Sequence, residues 1–398
     1  MKLIKYAKKI VFSCIKSLYG VLRYPIKTDK NTVLFISYLG KGYLCNPKYI
    51  HLEMMKYPEL EGMTFVWALK DTRTKIEGAK IVKYNSPKYF YYLAKSKIWV
   101  VNCKLPEFVK KKDNQVYIQT WHGTCLKRLS HDIETKDEIT FYRTGMSRDE
   151  MTRSYDVDVA KYDYMISPNS FTTDKYVSAF KVDQRKIREY GYPRNDYLVN
   201  LNEDTISQLK EKYNIPAGKK VLLYSPTWRD NHYNEKGYIF KLECDFKKWK
   251  EQLGQEYVVL FKPHYLISNK FDNTNLEDFL YCIDENVDIN ELYAISDLLV
   301  TDYSSVFFDY TILDRPVIFY MYDLENYRDN LRGFYLDIYT ELPGKIVEDE
   351  DSLLKLINSN DFYDKEKMTS FRNRFHSLEN GTAAKTVIEK LIIPTLNE

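Results

Sequence analysis

LLVTDYSSVFFDYTILDRPVIFY, residues 298–320, reads as one complete unit of an α/β fold. Residues 298–301 form a short apolar run without polar alternation, the pattern of a strand buried on both faces. Ser304 and Ser305 stand where a helix N-cap belongs, and 306–313 carries a helical pattern. A second apolar run follows at 317–320. Strand, helix, strand is a crossover connection and predicts a parallel pair.

The same alternation extends in both directions. Strands are expected at 221–224 and 257–261, and before them at 32–37, 65–69, 98–102, 116–121, 164–167 and 187–190. Helices are expected at 47–57, 87–94, 206–213, 289–296 and 383–391. The pattern pauses at GYPRNDYLVNLNED (191–204), which reads as a linker. The expected organisation is α/β, with two Rossmann-like domains at 29–195 and 205–375 facing each other across a cleft. A helix at 376–398 is expected to pack back on the first domain.

Residues 1–28 stand apart. Leu3, Ile4, Ala7, Ile10, Val11, Cys14, Ile15, Leu18 and Leu22 recur at spacings of three and four, as on one face of a helix. Residues 1–30 hold eight Lys or Arg against Asp29 alone, while the whole chain is at +3, so the remainder carries −4. A basic amphipathic helix on an anionic membrane surface fits this pattern, as does a helix packed on the body with a solvated basic face. Lys8, Lys9, Lys16 and Arg23 interrupt any membrane-spanning run. The slightly acidic body gives no reason to expect nucleic acid. Six scattered cysteines without a CxxC pair read as reduced thiols in the cytoplasm, and no metal-ligand spacing is present.

Chemistry-bearing residues share one placement. His122 follows the strand VYIQTW, His264 follows VVLFKP, and Ser304–Ser305 follow LLVTDY. Ligands of open α/β sheets bind beyond the carboxyl ends of strands. The serine pair at a helix start suits a phosphate or diphosphate, or forms a plain cap. Asp309, one turn deeper, suits ribose hydroxyls or is a surface acid. Lys262, Arg194, Arg229 and Arg332 are candidates to offset phosphate charge, with Thr301 beside them. Gly123, Thr124 and Asn46 are placed on the acceptor side. Trp121 reads as packing beneath the site. There is no GxxxxGK[ST] loop, and Cys45 stands where a dinucleotide fingerprint beginning at Gly40 needs its third glycine. Asp156–Val157–Asp158 is formally a DxD, but no apolar strand precedes it.

Eight blocks then stand in order: FISYLGKGYLCNPKYI (35–50), QTWHGTCLKRL (119–129), YMISPN (164–169), GYPRND (191–196), YSPTWRD (224–230), FKPH (261–264), TDYSSVFFDYTILDRPVIFY (301–320) and RGFYLD (332–337). Together they resemble the CDP-glycerol glycerophosphotransferase family, the teichoic-acid primases and polymerases. The resemblance implies a GT-B fold whose second domain binds a CDP-activated donor. Ser304 and Ser305 would then hold the diphosphate, Asp309 the ribose, and His122 and His264 would be essential. It also implies a peripheral, monotopic enzyme at the cytoplasmic face of the membrane, with an undecaprenyl-diphosphate-linked acceptor. Some polymerases of the family carry an acid where this chain has Cys45, so an acid–base role does not transfer to that position.

The expected reaction is attack of an acceptor hydroxyl on the β-phosphorus of a CDP-alcohol, with CMP leaving. CDP-glycerol and CDP-ribitol are both open as donors. His122 is the candidate base, though the two histidines could exchange roles, and no cofactor or metal is expected. A nucleotide-sugar glycosyltransferase and a catalytically dead assembly subunit are the alternatives.

Overall fold

A computed structural model of the chain describes residues 18–133, 146–227, 233–234, 237–238, 243–262, 275–325 and 333–398. The chain divides into two compact units. Unit 1 is Met1–His122, Met151–Arg194 and Thr382–Glu398; unit 2 is Gly123–Glu150 and Asn195–Gly381.

The described residues of unit 1 form seven strands: β1 (Asp29–Ile36), β2 (Thr64–Leu69), β3 (Ala79–Lys83), β4 (Ser96–Val101), β5 (Val116–Gln119), β6 (Tyr164–Ser167) and β7 (Ile187–Glu189). They form one parallel sheet in the order β3-β2-β1-β4-β5-β6-β7. Val33 sits between Phe65 of β2 and Ile98 of β4. The strand order reverses between β1 and β4, and a crevice opens at such a point beyond the strand ends. The connecting helices start on local signals. Ser86 caps Pro87–Lys95 by accepting from Tyr89 N–H, with Pro87 in the first turn. Asn169 of the YMISPN block caps Ser170–Phe180 by accepting from Thr172 N–H.

Unit 2 holds β8 (Lys220–Ser225), the short antiparallel pair β9 (Tyr233–Asn234) and β10 (Gly237–Tyr238), then β11 (Tyr257–Phe261), β12 (Leu280–Cys282), β13 (Leu298–Thr301), β14 (Val317–Tyr320) and β15 (Lys345–Val347). Six of these make a parallel sheet in the order β12-β11-β8-β13-β14-β15. Counted within the sheet, that is 3-2-1-4-5-6, the Rossmann order, with its reversal between β8 and β13. Residues 298–320 are thus β13, the helix Val306–Tyr310 with a 3₁₀ turn at Thr311–Leu313, and β14.

Several expectations change. Of the strands in the two parallel sheets, three, Ala79–Lys83, Leu280–Cys282 and Lys345–Val347, were not expected from the sequence; each lies at a sheet edge and includes half-buried or exposed positions. The unit boundary at Arg194/Asn195 falls inside the 191–204 segment read as a linker, and Asp196–Val199 within that segment is helical. Residues 123–150 group with unit 2. Lys127 bridges Phe334, Arg128 N–H donates to Gly333 O (3.1 Å), and Tyr335 N–H donates to Leu126 O (2.8 Å).

The carboxyl-terminal helix starts at Ala383, and its residues from Thr382 on belong to unit 1. Val387, Ile388, Leu391 and Ile392 share the core of Val33, Phe35, Ile50 and Trp67. A π turn at Ile388–Ile392 precedes Pro394. It accommodates a residue that has no N–H and crowds the preceding turn.

Residues 1–17 of the expected amphipathic helix lie outside the described residues. Residues 18–22 are helical. Tyr19 is buried against Phe90 and donates to Lys110 O, while Leu18, Val21, Leu22 and Tyr24 are exposed. Among the described residues no helix is long and apolar enough to cross a membrane.

Candidate active site

In unit 1 the residues of interest gather at the carboxyl ends of β1, β4, β5 and β7. His122 is the third residue after β5. Its Nδ1 stands 2.6 Å from the carbonyl oxygen of Asn102, which follows β4. A carbonyl only accepts, so the proton is on Nδ1 and the lone pair is on Nε2. Burial lowers the His122 pKa to about 4; the Asn102 bond opposes this shift and the nearby Arg194 charge adds to it. The ring is therefore neutral at pH 7. It stacks on Trp121 (centroids 4.4 Å) and meets the edge of Tyr38 at 5.6 Å.

The turn that presents His122 is unusual. Trp121 has φ +48°, and Tyr38 (+45°), Leu39 (+54°) and Cys45 (+62°) near the end of β1 are also left-handed. Large side chains rarely adopt this conformation, and it persists where surrounding bonds enforce it. Those bonds are present. Asn46 Nδ2 donates to Thr120 O (2.9 Å) and Trp121 O (3.0 Å), and Arg194 N–H donates to Asn46 Oδ1 (3.1 Å). Arg194 Nη1 donates to His122 O (2.7 Å) and to Cys45 Sγ (3.2 Å). Gln119 Oε1 accepts from Trp121 N–H (3.0 Å), and Asn102 Oδ1 accepts from Tyr38 N–H (2.8 Å).

Asn46, expected toward the acceptor, is fully buried and its amide is occupied by backbone groups. Arg194, expected on the donor side, lies in unit 1 with its guanidinium bound to the His122 carbonyl.

In unit 2 the carboxyl ends of β8 and β13 meet at the strand-order reversal. Asp302, buried, accepts from Thr227 N–H (2.8 Å) and Thr227 Oγ1 (2.7 Å), which ties the two ends together. Thr301, expected to meet the donor, is fully buried and donates to Ser225 O at 2.7 Å, so its hydroxyl braces the sheet. Among the described residues, Ser304 Oγ accepts only a long bond from Val306 N–H (3.4 Å). Ser305 is the N-cap of Val306–Tyr310, and its side chain makes no cap bond. Asp309 lies in the first turn of that helix and is buried.

Lys262, next after β11, donates to Asp284 O at 2.8 Å. Burial lowers its pKa to about 8, against the raising effect of Asp284, Asp288 and Glu285. Gly123 and Thr124 are buried and are the first residues of unit 2, directly after His122. His264, Arg229 and Arg332 lie outside the described residues.

Asp158 of the formal DxD is fully buried. It receives Lys161 Nζ (2.8 Å), Tyr162 OH (2.7 Å) and Leu105 N–H (3.1 Å), an interior arrangement. Among the described residues no group of three or more His, Cys, Asp or Glu is placed to hold a metal. Asn102 and Gln119 escaped the sequence reading. Each is an ordinary strand-end amide, and only the fold brings it beside His122.

Residues 19–393 match the family described as CDP-Glycerol:Poly(glycerophosphate) glycerophosphotransferase. The teichoic acid poly(glycerol phosphate) polymerase of Staphylococcus epidermidis is 38% identical over 397 residues, covering 97% of this chain and 54% of that protein. The protein of the same name from Bacillus spizizenii is 38% identical over 399 residues, 98% of each chain. The chain thus spans about half the length of the first relative and nearly all of the second. A solved structure of the wall teichoic acid polymerase TagF, a histidine-to-asparagine variant soaked with CDPG, aligns with TM-score 0.89 at 37% identity. That alignment covers 100% of this chain and 97% of the TagF chain.

Proposed function

This chain belongs to the CDP-glycerol:poly(glycerophosphate) glycerophosphotransferase family, and we propose that it transfers glycerol phosphate, or another alditol phosphate, from a CDP-alcohol to a hydroxyl of a lipid-linked acceptor in teichoic-acid synthesis. The observation that carries this reading is the His122 ring, neutral and held with its Nε2 lone pair unprotonated at the end of a parallel sheet. A ring in that state takes a proton from an attacking hydroxyl.

In the proposed step the acceptor oxygen bonds to the β-phosphorus. The bond from that phosphorus to the oxygen bridging to CMP breaks, and its electron pair leaves with CMP. The hydroxyl proton goes to His122 Nε2. Ser304 and Ser305 hold the diphosphate with hydroxyls that do little for the fold, and Asp309 meets the ribose. His264, Arg229 and Arg332 would stabilise phosphate charge, and Lys262 would add to it. We place the donor on unit 2 and the acceptor on unit 1, in a GT-B arrangement, with no metal in the step. The exposed Leu18, Val21, Leu22 and Tyr24, with Lys27 and Lys30 close in sequence, support peripheral attachment to an anionic cytoplasmic membrane face.

The test supplies purified protein, vesicles and a defined undecaprenyl-diphosphate-linked acceptor with labelled CDP-glycerol, CDP-ribitol or a UDP-sugar, and weighs the product by mass spectrometry. Gain of one or more alditol-phosphate units is the expected result. Label entering lipid from the UDP-sugar alone overturns the reading.

A further inference from the structure

Asn46 was expected to face a substrate, and its surroundings rule that out. The residue is fully buried. Its two amide protons go to the carbonyls of Thr120 and Trp121, and its oxygen takes the N–H of Arg194. A carboxamide has two donors, and here both are used on successive carbonyls of one turn. That turn is the left-handed Trp121 step that delivers His122.

The same side chain therefore joins three segments distant in sequence: the helix start after β1, the turn after β5 and the GYPRND segment after β7. Arg194 closes the arrangement, because its guanidinium holds the next carbonyl, that of His122. Three consecutive carbonyls, 120 to 122, are thus held by two residues. With those carbonyls fixed, the His122 ring has one orientation, and its Nδ1 meets the Asn102 carbonyl.

We propose that Asn46 is a positioning residue for His122. By clamping the Thr120–Trp121 backbone it keeps the ring against Asn102 and so selects the Nδ1-protonated tautomer, and it touches no substrate. The role rests on the reading of His122 as the base. Misplacing a catalytic group by an ångström costs on the order of 10²-fold in rate, and that is the scale expected here.

The experiment uses the full chain with ¹⁵N-histidine labelling and with CDP-glycerol turnover measured separately. The His122 ring signals are assigned by their loss in His122→Ala. In the wild type they should show a single neutral form protonated at Nδ1. Asn46→Ala should average the two tautomers and lower kcat about 10²-fold, with the CDP-glycerol KM within about twofold. Asn46→Asp keeps the size and the oxygen facing Arg194 N–H but removes both donors. It should do the same, and it serves if the alanine variant does not fold.

A folded Asn46 variant with wild-type kcat overturns the proposal. So does one with lowered kcat and unchanged ring signals, since its loss is then merely structural. Wild-type protein that consumes neither CDP-glycerol nor CDP-ribitol defeats the functional reading instead. The ring signals still decide the positioning claim in that case.

Discussion

Two strand-end turns invite comparison, Thr120–His122 in unit 1 and Ser304–Ser305 in unit 2. Around the first, Asn46, Arg194, Asn102 and Gln119 fix backbone and ring alike. Around the second, the supporting bonds stop one step short. Asp302 and Thr301 are tied down, while among the described residues the serine hydroxyls accept at most one long bond. The difference follows from the proposed tasks. A base is effective only if its direction and protonation are set before the substrate arrives. A cradle for an anion must keep its donors for the guest.

The largest effect should come from the first turn. Removing the proposed base in His122→Ala should slow transfer by about 10²–10⁴-fold, measured as labelled alditol phosphate entering the lipid acceptor. A loss under tenfold would erase the contrast drawn above. Next in size is the paired Ser304→Ala, Ser305→Ala variant. Hydrogen bonds to a charged group contribute about 1.5–3 kcal/mol each, so the donor KM should rise at least about tenfold. Thermal stability should stay the same, because these hydroxyls hold almost nothing in the fold; an equal drop in melting temperature would mean that they do.

A third expectation concerns pH. Burial lowers the pKa of His122 and of His51 from 6.5 to about 4, and burial with the Arg372 charge lowers His376 to about 3. The unfolded chain takes up protons at these rings below pH 6.5, whereas the folded chain does not until near pH 4. Their contribution is complete above pH 6.5 and is lost as pH falls toward 4. The melting temperature should drop between pH 7 and pH 5, while the neutral His122 keeps turnover of the folded enzyme level over that range. Turnover falling with an apparent pKa near 6.5 would show the ring to be solvated. The smallest effect belongs to Cys45→Ser. The serine oxygen can still accept from Arg194 Nη1, so kcat should change by less than about threefold.

Interior strands were legible in the sequence, and of the four edge strands of the two parallel sheets only Ile187–Glu189 was. Tyr257–Phe261, Leu298–Thr301 and Val317–Tyr320 are covered on both faces and read as unbroken apolar runs. The edge strand Ala79–Lys83 reads AKIVK and has one fully buried residue, Val82, so no run announces it. In the candidate site, His122 could be picked out because a histidine directly after an apolar strand is conspicuous. Its supports could not. Asn46, Asn102 and Arg194 lie up to 148 positions apart, and only the strand order brings them together. Burial reversed the reading of Asn46 and Thr301. Residue type suggested ligands, whereas backbone groups that needed partners had already taken those atoms.

The return of Val387–Ile392 to the first core has a consequence for biosynthesis. A ribosome completes Arg194 roughly 190 codons before it reaches these residues, which at 5–20 residues per second is on the order of 10–40 s. Throughout that interval the nascent first lobe has an uncovered apolar surface, and the second lobe can finish before it does. A ribosome-stalled or truncated product ending before Thr382 should therefore bind chaperones and aggregate, even though it contains His122 and every strand of both sheets.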